Sequence, residues 1–437
     1  MNAPDALAST NLGLLESADW AKLCNADGEF QLAARHWTGG LRLCIGDAVA
    51  ELGMVEGEAT ATEALAQGTL PKEQTGVVEL KGTEEFWSKM LSGSPPRFHT
   101  DLMAAVNTGS GLGRAGDALA YAQYYGAAMR AIELLRPQRK ALTAPAPDAN
   151  QAGGLVFDAP QGRYVHLELD GLDHRIYFEE AGQGIPVLLQ HTAGCHGSQW
   201  RHLMEDTRIT DKFRLIAYDL PYHGKSLPPS EKEWWAERYL LNGEFLRSVP
   251  IKLSAALNLD QPVFVGCSVG GLLALDLAHK HADAFRAVVS VEGALNIAGS
   301  LEAVGDLWHP KISNDYKART MEGLMSPASP LPYVKETSYV YASGWPQSFI
   351  GDLNYYISDY DLREQAGEID TSQVAVHILS GEYDHSGTSE LGKEAHAAIA
   401  GSSWQEMKNV GHFPMSENPE AFISYLLPIL ESVLNEA

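Results

Sequence analysis

The sequence predicts an α/β protein: a mainly parallel sheet with helices on both faces and an inserted helical cap, preceded by a smaller α+β domain. Three observations carry this. Short apolar runs at 186–189, 213–218, 262–265, 285–291 and 374–379 alternate with helical stretches, and such alternation implies right-handed crossovers into a parallel sheet covered on both faces. The pentapeptide Gly266-Cys267-Ser268-Val269-Gly270 stands between one of those runs and a helical repeat. A stretch at 137–160, with Pro137, Pro145, Pro147, Pro160 and the pair Gly153-Gly154, has linker composition and separates a front part, 1–136, from a larger back part, 161–437.

A length of 437 residues exceeds what one core usually covers, in keeping with two domains. Apolar content of 45% and charged content of 20% are those of an ordinary soluble globular protein. A formal charge of −24, from 32 basic and 56 acidic side chains, argues against nucleic acid or an anionic membrane as partner. No run approaches the roughly eighteen apolar residues of a membrane span, and the first twenty residues or so lack a basic region followed by an apolar core. A cytoplasmic enzyme is the expectation. The 4 cysteines, Cys24, Cys44, Cys195 and Cys267, are too scattered for a disulfide framework or a close-spaced zinc site, so they are read as reduced thiols.

In the front part, strand-like runs at 41–45, 48–55 and 76–80 mix with helix-like runs at 84–90 and 118–135, which reads as α+β. Gly46-Asp47 at a turn, Gly82-Thr83 opening a helix that carries Phe86 and Trp87, and Gly116-Asp117 before a last helix resemble sterol-carrier-type lipid-binding domains over roughly residues 30–135. An accessory packing or dimerisation domain is the competing reading. This part supplies no nucleophile motif, and support of assembly, as in a homo-oligomer, or of substrate access is its expected role.

The back part opens with two alternating runs, 164–169 and 175–179, around the turn pair Asp170-Gly171, and a hairpin is expected. The parallel strands follow. Between about 294 and 366 the alternation breaks into Tyr, Trp, Pro and Ser where the next strand was due, and this stretch is read as the cap.

The pentapeptide follows a β-branched and aromatic run, Pro262-Val263-Phe264-Val265, and precedes apolar residues at helical spacing through Leu272, Leu273, Leu275, Leu277 and Ala278. Strand, tight turn and helix thus meet at Ser268, and the glycines on either side leave room for close approach. A serine hydroxyl is a poor nucleophile at neutral pH and needs a base within hydrogen-bond reach. Most of the 15 histidines must be surface or packing residues. His412 stands between Gly411 and Phe413-Pro414, just ahead of an amphipathic helix at 419–434.

Residues 163–437 resemble the α/β-hydrolase superfamily through several motifs in order. These are His191-Thr192-Ala193-Gly194 with Trp200 downstream, Asp219-Leu220-Pro221-Tyr222-His223-Gly224-Lys225-Ser226, the elbow at Ser268, Leu379-Ser380-Gly381-Glu382-Tyr383-Asp384, and Gly411-His412-Phe413-Pro414. The resemblance implies Ser268 as nucleophile, Asp384 as acid and His412 as base. Glu292, at the end of the preceding strand, is the rival acid, with Glu382 and Asp361 behind it. Asp219 and His223 suggest a metal but match a structural turn of the family. The resemblance also implies an oxyanion hole from the backbone N–H groups of Val269 and Ala193, although Thr192 stands where glycine is frequent.

His191, Thr192 and Cys267, beside these motifs, and Trp345 and Tyr341 in the cap are expected to line the substrate pocket. The cap is rich in rings, with Trp308, Tyr316, Tyr333, Tyr339, Phe349, Tyr355, Tyr356 and Tyr360 besides. Most of these rings must pack the cap itself, yet as a group they suit a medium-sized, partly apolar or aromatic ester or lactone. No dinucleotide or phosphate-loop glycine motif and no metal-ligand spacing is present, so no cofactor and no metal are implied. A serine hydrolase of esters or lactones is the first reading. A carbon–carbon bond hydrolase acting on a ring-cleavage product is the second, and a non-catalytic lipid- or signal-binding module the third.

Overall fold

The computed structural model describes residues 17–62, 75–137 and 157–436. Most of the expected linker, residues 138–156, lies outside the described residues. The chain divides into two units, one of Met1–Ala141 with His309–Gly323 and one of Leu142–Trp308 with Leu324–Ala437.

The first unit is α+β. Its strands are β1 (Gly39–Ile45), β2 (Ala48–Val55), β3 (Glu58–Thr60), β4 (Val77–Gly82) and β5 (Gly113–Gly116), in the order β3-β2-β1-β4-β5. Alternation sets its two faces: Leu41, Leu43 and Ile45 of β1 are buried, while Arg42 points to the other side. There Arg42 stands in register with Glu51 on one neighbouring strand and Glu79 on the other, and it bridges both at 2.7 and 2.9 Å. The anticipated helix at 118–135 is interrupted at Tyr124, giving Ala118–Gln123 and Tyr125–Glu133.

Residues 309–323 fall in the stretch read as cap, yet they belong to this first unit. The reason lies in side chains far apart in sequence. In the helix Asn314–Glu322 the ring of Tyr316 meets Tyr125 edge-on at 5.7 Å, and Arg319 is hydrogen-bonded to Glu29. A chain started at Gln161 would keep this helix, with its buried Tyr316, Ala318 and Met321, but lose Tyr125 and Glu29. It should therefore lose soluble yield, as read by light scattering and a thermal melt. A monodisperse truncated protein that melts like the full chain would show that these contacts are dispensable.

The second unit holds one eight-stranded sheet, built from β6 (Gln161–Leu169), β7 (Leu172–Ala181), β8 (Ile185–Gln190), β9 (Phe213–Tyr218), β10 (Val263–Cys267), β11 (Ala287–Val291), β12 (Ala375–Gly381) and β13 (Ser403–Met407). The order is β13-β12-β11-β10-β8-β9-β7-β6. From β9 to β13 all neighbours are parallel, and only the β6–β7 and β7–β9 pairs are antiparallel. Every residue of β10 and β11 is buried, as befits central parallel strands with helices on both faces. The hairpin β6–β7 turns at Asp170-Gly171, both at positive φ, as the turn pair predicts.

Helices fill the stretch between β11 and β12, among them Leu331–Ala342, Pro346–Leu353 and the wider turn Asn354–Asp359, whose bonds run from i to i+5. Among the described residues no helix is long and apolar enough to cross a membrane. The carboxyl ends of β8, β10, β11 and β12 all open toward one edge of the parallel sheet. In an open α/β sheet this is where ligands bind.

Candidate active site

Ser268 sits between β10 and the helix Val269–Lys280 with φ 59° and ψ −114°. For a residue with a side chain this is a sparsely populated conformation that costs of order 1–3 kcal/mol, held only where the surroundings over-determine it. They do so here. The Ser268 N–H donates to the Val291 carbonyl at 2.9 Å, and its own carbonyl accepts from Leu272 N–H at 2.9 Å. A Cβ at Gly266 would lie 2.1 Å from the Gly270 carbonyl oxygen, and one at Gly270 would lie 2.7 Å from Gln190 Cγ. The two glycines let strand and helix close on each other and raise the serine at the sheet edge.

Asp384 lies in the turn after β12, where its Oδ1 accepts from Ser386 N–H at 2.7 Å and its Oδ2 from Gly387 N–H at 3.0 Å. The same Oδ2 meets His412 Nδ1 at 2.6 Å. Asp384 is fully buried, His412 nearly so and Ser268 only 5% exposed. Burial alone would raise the Asp384 carboxyl, but the facing imidazole of His412 and the hydrogen bonds hold it below the usual carboxylate range. Backbone contacts also fix His412: its N–H donates to Leu324 at 2.9 Å, and its carbonyl accepts from the Cys267 thiol at 3.2 Å.

Glu292, the rival acid, is hydrogen-bonded to Asp384 and not to the imidazole, and both its oxygens lie 2.8 Å from Gly381 N–H. Burial, and then the charge of Asp384, push its carboxyl well above the ordinary range. Two buried carboxyls side by side cannot both ionise cheaply, which favours the proton on Glu292 and the charge on Asp384. Glu382 instead accepts from Asn409 N–H at 3.0 Å, and Asp361 pairs with Arg363 on the surface.

The loop after β8 is pinned on both sides of Ala193. Thr192 N–H donates to Gln199 Oε1 at 3.0 Å, and Gly194 N–H donates to Asp352 Oδ2 at 2.7 Å. Asp352, fully buried, also receives Tyr239 Oη at 3.1 Å and His223 Nε2 at 2.9 Å. Burial works against a charged His223, but the Asp352 carboxylate outweighs it and holds the imidazole above its ordinary range. Among the hydrogen bonds of the described residues, none is donated by the amides of Ala193 or Val269. Two buried N–H groups without a protein acceptor are what a developing oxyanion requires.

Several residues anticipated as substrate contacts spend their polar atoms on the protein. His191 has Nδ1 2.8 Å from the Thr192 carbonyl, and its Nε2 accepts from Leu220 N–H at 3.1 Å. The Thr192 hydroxyl bonds Gln199 and the phenol of Tyr341. The Cys267 thiol is held by His412, and burial pushes it well above its usual range, which keeps it protonated. Trp345 packs among Trp234, Tyr222 and Tyr239, with ring centroids 5.6, 6.3 and 6.4 Å away. The cause is general: a polar group this deeply buried must find an internal partner. Asp219 likewise accepts from Gly197 and Lys225 N–H at 2.7 Å each, as a structural turn would.

Tyr356 also lies at this site, and nothing in the sequence singles it out from the other cap rings. It stands in the widened turn Asn354–Asp359, a geometry enriched at functional sites. Its buried phenol is hydrogen-bonded to Ser386 Oγ at 3.0 Å and lies near Ser268.

The model of the alpha/beta hydrolase family matches residues 187–424 of this chain. A pimeloyl-[acyl-carrier protein] methyl ester esterase of Vibrio vulnificus is 24% identical over 267 residues, spanning 58% of this chain and 96% of that protein. Among solved structures, an esterase of Thermogutta terrifontis with malate bound superposes with a TM-score of 0.54 at 20% identity, covering 62% of this chain and 99% of that one. An esterase of Exiguobacterium antarcticum does so with a TM-score of 0.53 at 20% identity, covering 61% and 98%.

Proposed function

This chain belongs to the alpha/beta hydrolase family, and we propose that within it the protein is a serine hydrolase cleaving a carboxylic ester or lactone through an acyl-enzyme. The observation that carries this reading is the 2.6 Å bond from His412 to Asp384, made beside a serine held in an elbow at φ 59°. Ser268 Oγ attacks the acyl carbon and its proton passes to His412 Nε2. Asp384 fixes the tautomer and stabilises the imidazolium. The carbonyl oxygen, now an oxyanion, takes the amides of Ala193 and Val269, each such donor supplying about 3–4 kcal/mol in comparable sites. Collapse expels the alkoxide, which takes the proton back from His412, and water then repeats the sequence on the acyl-serine.

The ester chemistry of the Vibrio relatives supports this choice of bond. The ring-rich cap, with Tyr356 beside the nucleophile, suits a medium-sized, partly apolar or aromatic small molecule as substrate. A panel of esters, lactones and vinylogous 1,5-diketones, run with a fluorophosphonate probe and a Ser268→Ala blank, tests it. The expected result is an alcohol burst on esters, or lactone opening, with the probe on Ser268. Turnover confined to the diketones would establish the carbon–carbon reading, and a wild-type chain that neither turns over nor labels would leave a binding module.

A further inference from the structure

The backbone that carries His412 belongs to no strand or helix, so the amides of Gly411, His412 and Phe413 must find partners elsewhere. Glu417 supplies two of them. Its Oε1 accepts from Gly411 N–H at 3.1 Å and from Phe413 N–H at 3.0 Å, the residues immediately before and after the base. The other oxygen, Oε2, accepts from Ser326 N–H at 2.8 Å and from the Ser329 hydroxyl at 2.7 Å. The third amide, of His412 itself, goes to the Leu324 carbonyl. Three consecutive amides around the base are thus held by one carboxylate and by the segment 324–329 that this carboxylate also ties down.

Glu417 is wholly buried, and burial pushes its carboxyl up to about 7 against the pull of its four donors. A buried carboxylate is costly unless its lone pairs are filled, and here each oxygen receives two donors. The loop is shaped for it: a Cβ at Gly411 would fall 2.9 Å from Glu417 Oε1 and 2.3 Å from the Leu324 carbonyl oxygen. The position of an imidazole matters at this scale, since a misplacement of about 1 Å can cost about a hundredfold in rate.

We propose that Glu417 is a positioning residue for the base, fixing the imidazole of His412 by clamping the amides on either side of it and joining that loop to the segment leading into the helix Leu331–Ala342. This rests on reading His412 as the base. Glu417→Gln keeps the shape but sets an NH₂ group against two of the four donors. It should lower kcat by about 10- to 100-fold with KM nearly unchanged, and slow fluorophosphonate labelling of Ser268 by the same factor. The downfield proton resonance of the His412–Asp384 bond should shift or broaden with it.

A merely structural Glu417 would lower the melting temperature and leave that resonance and the kcat of the folded protein in place, which overturns the proposal. If Glu417→Gln does not fold, Ser329→Ala removes a single donor to Oε2 and should move the resonance and kcat in the same direction by a few-fold. No movement in either also overturns it. Failure of the wild-type chain to label would instead count against His412 as base, so the two ideas fail separately.

Discussion

Ser268→Ala should lower kcat by about a factor of a million while leaving the fold intact, and His412→Ala should do nearly the same, because the members of such a triad act as one unit. The residual rate comes from substrate binding and the oxyanion amides, which neither change touches. Ser268→Ala removes one oxygen from a residue whose backbone is fixed through its own N–H and carbonyl, so the elbow at φ 59° should persist. His412→Ala leaves the Asp384 carboxylate without its ring partner, so its melting temperature is the more informative control. The check is single-turnover hydrolysis of the best substrate from the ester panel, with circular dichroism on each variant. A Ser268→Ala protein within tenfold of wild type would remove the acyl-enzyme from the mechanism.

Asp384→Asn should cost about ten-thousand-fold in kcat, since an amide at that place presents the wrong partner to Nδ1 and favours the wrong tautomer. Glu292→Gln should cost tenfold at most. Burial and the neighbouring Asp384 favour a proton on Glu292, and a glutamine amide can donate in the same direction. The pair therefore discriminates between the two acids at the ends of adjacent strands. An active Asp384→Asn beside an inactive Glu292→Gln would transfer the role to Glu292, at odds with the 2.6 Å bond between Asp384 and His412.

Local chemistry made much of this protein legible from its sequence. The runs of β8 to β12 are mostly buried, mostly apolar parallel strands, the Asp170-Gly171 pair forms the turn of a hairpin, and the glycines of the elbow admit contacts that no Cβ would survive. The motif order around Ser268, Asp384 and His412 likewise reads along the chain. Each of these signals depends on residues a few positions apart. The weaker local patterns were missed. β13, Ser403–Met407, is an edge strand with polar and half-exposed positions, and it carries no continuous apolar run.

What only the tertiary structure decided concerns partners that crossovers bring together. Residues 309–323 read as cap, but their helix packs within the first unit because Tyr125 and Glu29 wait there. His191, Thr192 and Cys267 read as substrate contacts, yet closure of the sheet buries them and commits their polar atoms to internal acceptors. Tyr356, Asp352 and Glu417 carry no motif at all. Their importance comes from meeting Ser268, Gly194 and the backbone beside His412 across 88, 158 and as few as 4 positions of chain, and a buried polar group reveals its purpose only when its partner is known. Periodicity determines which face of an element is apolar, whereas the pairing of buried charges and amides is set by how those faces close on one another.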